Sequence, residues 1–213
     1  MKRNGAETRP FVPGLRPMTC IAAFVVAFAV SHSSLADAGH VRPPPVPPTL
    51  QVPTGNKAFL EGDAIGTQDY ICLPSGAGFA WTFFGPQATL FNEHDEQIIT
   101  HFLSPNPFES GTPRATWQHS KDTSTVWAVT IASSSDPDFV APGAIPWLLL
   151  KVVGAQNGPT GGDTLSATTF IQRLNTAGGV APSTGCTLST DVGKMALVPY
   201  TAEYFFDKAI KHK

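Results

Sequence analysis

From about residue 49 to residue 206 the chain alternates short apolar stretches with clusters of Gly, Pro, Asn and Ser. Within residues 79–84, Phe79, Trp81 and Phe83 recur at every second position, which places them on one face of a strand. Residues 97–103 alternate Ile99, His101 and Leu103 against Ile98, Thr100 and Phe102, so His101 is expected to point inward with its apolar neighbours. Residues 126–131 and 169–174 are similarly rich in strand formers. Near the end, Val198, Tyr200, Ala202, Tyr204 and Phe206 share one face. Residues 145–153 form a continuous apolar run, as expected of a strand covered on both faces, with Pro146 marking its start. No window holds three turns of 3.6-residue periodicity with caps. The pattern predicts an all-β single domain, an antiparallel sandwich or barrel of roughly 8–10 strands.

The two ends read differently. Residues 1–17 carry Lys2, Arg3, Arg9 and Arg16, and an uncharged apolar run of eleven residues follows from Cys20 to Val30. Polar residues and the small-x-small site at Ser34, Leu35 and Ala36 come next. This tripartite order predicts a secretory signal peptide over residues 1–36, cleaved after Ala36 or Ala38, and so a secreted or periplasmic product. The apolar run is well short of the ~20 residues that span a bilayer, so no membrane span is expected after cleavage. Residues 37–48 read as a Pro-rich linker, with 43–48 a stiff polyproline spacer. The β domain is expected over residues 49–207, and the basic residues 208–213 are expected to fray as a tail.

Charge narrows the partners. Only 14% of the 213 residues are charged, with 14 Lys+Arg against 16 Asp+Glu. Four of the basic residues and one acid precede Ala36, so the remainder carries 10 basic and 15 acidic residues, a formal charge of −5. Nucleic-acid binding needs a clustered basic face, which this chain lacks. Cys72 and Cys186 are the two cysteines left after cleavage. In an oxidising compartment a disulfide between them is expected, ahead of two free thiols or half a metal site.

Motifs for chemistry are sparse. Nucleophile elbow, zinc-protease, phosphate-loop, calcium-loop and dinucleotide fingerprints are all absent. With no CxxC pair and no tight histidine cluster, no metal and no cofactor are expected; His94 with His101 is the best pair that can be drawn. His101 is the candidate general base, with Asp122 or Glu203 as partner. Gln172 and Arg173 interrupt an apolar strand, where an arginine serves as an exposed edge charge, as a fork on backbone carbonyls, or as an anion site. Trp117, flanked by Thr116, Gln118 and His119, is the tryptophan expected to be accessible.

Several stretches resemble the family of secreted bacterial and fungal proteins known as domain of unknown function 3455. They are residues 66–72, 81–90, His101 with Phe102, Thr116 with Trp117, 145–150, 171–179 with Pro182 and Cys186, and 198–204. Together they cover the whole mature domain. The resemblance implies a single exported domain and no established activity. Some members carry a dehydrogenase label, against which the missing nucleotide fingerprint argues. This chain departs from the pattern after His101 and Phe102, where residues 104–115 form a longer loop, and at residues 121–124, which replace a glycine turn. The longer loop is expected to alter any site beside His101.

Two functions of different class follow as expectations. The first is a non-catalytic, monomeric exported β-domain that binds a small molecule or a surface polymer near His101, Trp117, Gln172 and Arg173. The alternative is an extracellular hydrolase or lyase with His101 as base. A cleft joining His101 to a carboxylate favours the enzyme; an aromatic shelf without converging titratable groups favours binding.

Overall fold

A computed structural model describes residues 41–210. The expected signal peptide therefore lies outside the described residues. Eight strands succeed one another: β1 (Asn56–Ser75), β2 (Gly78–Phe91), β3 (Gln97–Asn106), β4 (Thr112–His119), β5 (Thr125–Ser134), β6 (Trp147–Gln156), β7 (Thr168–Gly178) and β8 (Met195–Ala209). Each pairs antiparallel with its sequence neighbour, and β8 returns to β1, which closes the sheet into a barrel. Closure leaves no unpaired sheet edge, the hazard that open all-β domains must cover by other means.

The six expected stretches fall on β2, β3, β5, β6, β7 and β8, except that Ile145 and Pro146 precede β6, which starts at Trp147. The inward set of the alternating pattern fills the barrel: Leu90, Ile99, Trp117, Val126, Leu150, Ile171, Tyr204 and Phe206 are each at most 4% exposed. One inward expectation is corrected. Leu103 is 42% exposed, because β2 and β3 pair only as far as Ala88 and His101, and Leu103 lies beyond the shared ladder.

Two strands carried little signal. The buried side of β1 holds Gly62, Ala64 and Gly66, small residues that leave room for large side chains from across the barrel. A Cβ on Gly66 would collide with the Gln87 carbonyl and with Ala88 on β2, so that strand pair requires glycine there. β4 is short and brings only Ala115 and Trp117 to the main core.

A second apolar cluster lies on the outside of the barrel. Trp147, Leu149, Leu174 and Phe205 are covered there by Leu50 and Val140, with Val41, Val46 and Val52 packed against them. This explains the continuous apolar run on β6, since alternate side chains enter the interior and the outer cluster. It also corrects the reading of residues 43–48 as a spacer. Pro47 and Leu50 are buried, and a 3-10 turn at Pro48–Leu50 lays the segment along the sheet, because the outer apolar face of β6–β8 needs a cover. The domain therefore begins before residue 49. At the other end Lys208 and Ala209 are strand residues, with Lys208 paired to Lys57 and Thr168, so the expected tail boundary moves outward.

The disulfide joins Cys72 on β1 to Cys186, in the connection between β7 and β8, across 114 residues of sequence. Backbone bonds flank it: Cys72 N–H donates to the Lys194 carbonyl and Gly193 N–H to the Cys72 carbonyl, both at 2.9 Å. No helix among the described residues is long and apolar enough to cross a membrane.

Candidate functional site

His101 stands on β3 inside the barrel and is 3% exposed. Its Nδ1 lies 2.9 Å from the Thr116 carbonyl oxygen. A carbonyl only accepts, so Nδ1 carries the proton and the ring is held as the Nδ1–H tautomer. Burial pushes its pKa down to about 3; the bond to Thr116 opposes that shift and the Arg173 charge adds to it. A neutral imidazole this weakly basic is poorly matched to proton abstraction near neutral pH. The partners expected for catalysis are elsewhere. Asp122 sits in the β4–β5 turn, where its carboxylate accepts from Ser124 N–H (2.9 Å), Ser124 Oγ (2.7 Å), Thr164 N–H (3.0 Å) and Thr164 Oγ1 (2.6 Å). Glu203 accepts from Asn175 Nδ2 at 2.7 Å and, by strand alternation, faces away from the interior that holds Tyr204. The structure brings neither acid to His101, and the expected base–carboxylate pair is not formed.

Trp117 is corrected as well. Its immediate neighbours Thr116 and Gln118 point outward, but its own side chain points in and is 1% exposed, stacked on the His101 ring. Gln172 and Arg173, adjacent in sequence, go to opposite faces of the sheet. Gln172 donates to the Leu50 carbonyl at 2.8 Å and secures the covering segment. Arg173 is half-buried and donates from a terminal nitrogen to the Pro146 carbonyl at 2.8 Å. Of the four residues expected to bind ligand, His101, Trp117 and Arg173 thus share the barrel interior and Gln172 does not.

Directly behind His101, on the outer surface of β3, β4 and β5, lies a half-open groove of about 410 Å³. Its floor is the outward half of the same alternation: Phe102 and Ser104 on β3, Thr116 and Gln118 on β4, Thr125 and Trp127 on β5. Thr123, Gln156, Asn157 and Pro159 form the rim. The floor is already ordered. Trp127 Nε1 donates to Ser104 Oγ at 2.9 Å, Ser104 Oγ lies 2.8 Å from Thr116 Oγ1, and Gln118 donates to Thr125 Oγ1 at 3.2 Å. Thr123 holds a backbone φ of 57°, unusual for a β-branched residue, and bonds to the Asp122 carbonyl. Asp122 ties this turn to Thr164, beyond residues 157–159, and so fixes both sides of the rim. Burial works to raise the Asp122 pKa, but the bonds from Thr164 and Ser124 outweigh it and hold the carboxyl well below the usual range.

None of the ten lining side chains ionises. Sequence reading missed most of them, because Ser104, Thr116 and Gln118 look like any solvated strand face until the β4–β5 turn and residues 156–159 wall them in. Among the described residues no group of three or more His, Cys, Asp and Glu could hold a metal. His94 is an exposed turn residue 3.7 Å from Glu93. A second concavity, about 620 Å³, lies between residues 41–43 and residues 57–59 with Lys208; it borders the undescribed segment, so no site is built on it.

No curated protein matches the chain, and no solved structure does. The family described as protein of unknown function (DUF3455) matches residues 53–208, from before the start of β1 to the end region of β8. The match takes in all eight strands but for the last residue of β8, and both disulfide cysteines, and the chain belongs to that family.

Proposed function

We propose that this domain is a non-catalytic, exported binding module that holds a segment of a neutral saccharide polymer in the groove on β3–β5. One observation carries the reading: a preformed groove lined by hydroxyls, amides and two aromatic side chains, with no titratable group converging on it. Sugar rings offer many hydroxyls and apolar C–H faces, which such a lining matches without the cost of desolvating a charge. Gln156 and Asn157 are exposed at the rim, with amides positioned to meet a ligand.

Affinity electrophoresis of the mature protein through gels containing dextran, soluble cellulose derivatives or glycol chitin tests this. Retardation by at least one neutral polysaccharide, unchanged by added salt, is expected. The double variant Gln156→Ala with Asn157→Ala should weaken it about tenfold, as the loss of two modest hydrogen bonds implies. Absence of retardation in every gel, or retardation that the double variant leaves intact, overturns the reading.

A further inference from the structure

Inside the barrel, on the opposite face of the sheet from the groove, the structure leaves a set of polar groups unsatisfied. The Arg173 guanidinium has no carboxylate partner among the described residues; it bonds the Pro146 carbonyl and the Tyr204 hydroxyl, and its Nε–H is buried without a partner. Its charge acts on the neighbouring Tyr70, Tyr200, Tyr204 and His101, none of which is an anion at neutral pH. Trp117, 1% exposed, also presents a buried indole N–H with no acceptor, and Gln68, 3% exposed, reaches only the Tyr200 hydroxyl. The Tyr200 and Tyr204 hydroxyls lie 3.3 Å apart, and the Tyr70 hydroxyl donates to the Gly179 carbonyl at 2.7 Å. Around Arg173 the imbalance is a positive charge without counter-charge, with the Arg173 Nε–H and the Trp117 indole N–H lacking acceptors. A half-buried guanidinium with no acid is costly, and orphan buried donors add to that cost.

We propose that this end of the barrel interior is a binding site for a small oxyanion, which Arg173 holds and Gln68 helps to enclose. A carboxylate or phosphate offers only acceptors and carries the missing charge, and the planar guanidinium suits its paired oxygens. Close packing around His101 and Trp117 restricts the ligand to a small one. Because Arg173 is only half-buried, the site has a route to solvent.

The test is thermal unfolding of the full chain in a bulky zwitterionic buffer, with sodium acetate or inorganic phosphate added at matched ionic strength. Acetate or phosphate at a hundred times its Kd should raise Tm by about 5–11 °C. A response to acetate alone identifies an organic carboxylate, and a response to phosphate identifies free phosphate or a phosphate ester. Arg173→Met should abolish the shift, and Gln68→Leu should reduce it while leaving the polysaccharide retardation intact. Should Arg173→Met fail to fold, Arg173→Lys, which keeps the charge but loses the fork, should weaken binding at least tenfold. No shift with either anion, or an equal shift in the folded Arg173 variants, overturns the proposal.

Discussion

The His101 ring lies on the Trp117 indole with centroids 4.2 Å apart and planes within 10°. The two residues are directly opposed partners on β3 and β4, so the stack is a cross-strand pair whose geometry follows from the register. Tyr204 closes against both rings, at 5.3 Å from His101 and 5.7 Å from Trp117. The histidine thus serves as a neutral aromatic in the core, with one polar edge spent on Thr116.

This burial has a pH signature. An unfolded histidine takes up its proton below pH ~6.5, whereas His101 in the fold stays neutral down to about 3. The unfolded state therefore binds more protons between those values, and stability falls as pH drops through that window, by about 3–5 kcal/mol in all. Asp207 acts in the opposite sense. Burial raises its pKa to about 6, so acidification from there toward 4 favours the folded state. His101→Phe preserves the stack but removes the first effect. Its Tm should rise as pH is lowered from 6.5 to 4.5, where the parent protein's stays flat or falls. Identical Tm–pH curves for the two proteins would show that His101 titrates normally in the fold.

Asp122→Ala should cost about 2–4 kcal/mol, because it strips the acceptor from bonds to Ser124 and Thr164 that nothing nearby replaces. The depressed Asp122 pKa adds a condition: its contribution is present above the ordinary carboxylate range and disappears as pH falls below about 4. Hydrogen exchange at the Thr164 amide reports this locally. Protection there should drop in the variant while amides in β7 and β8 keep theirs, and a uniform loss would mean that Asp122 supports the whole barrel.

Leu50 is fully buried in the outer cluster, and the Leu50 carbonyl accepts from Gln172. Leu50→Ala should destabilise the domain by about 2–5 kcal/mol in urea unfolding, within the range for buried leucines. A change below ~0.5 kcal/mol would mean that residues 41–50 do not cover the sheet in solution.

The fold was largely legible because alternation is strong wherever large side chains fill the barrel, as at Ile99 and at Tyr200 through Phe206. It failed on β1, whose inward positions are Gly62, Ala64 and Gly66; small residues that make room for others leave no hydrophobic signal of their own. It failed at Pro47 and Leu50 for a different reason. A proline-rich run identifies its backbone conformation but not the surface that the run lies on. The candidate site was legible only in its inner half. His101, Trp117 and Arg173 stood out as polar or aromatic residues in apolar strands, whereas Ser104, Thr116 and Gln118 resemble ordinary outer-face residues. Only the hairpin register places them beside Gln156 and Asn157. The bond between Cys72 and Cys186 followed from counting, since assigning Cys20 to the expected signal peptide leaves one pairing.

The pairing of β8 with β1 sets the order in which this chain can assemble. Every other strand pair joins neighbours in sequence, and seven hairpin-like steps can form by short excursions of the chain. The last seam brings Ile71 to Met195 and Asn56 to Ala209, across most of the domain, and bears the largest loop-closure entropy. Cys72 and Cys186 lie at one end of that seam. A covalent link formed there early would hold the two terminal strands near each other and speed closure; one formed late would only lock a barrel already shut. The position of the bridge thus makes the oxidation state of two sulfurs a determinant of folding rate as well as of final stability.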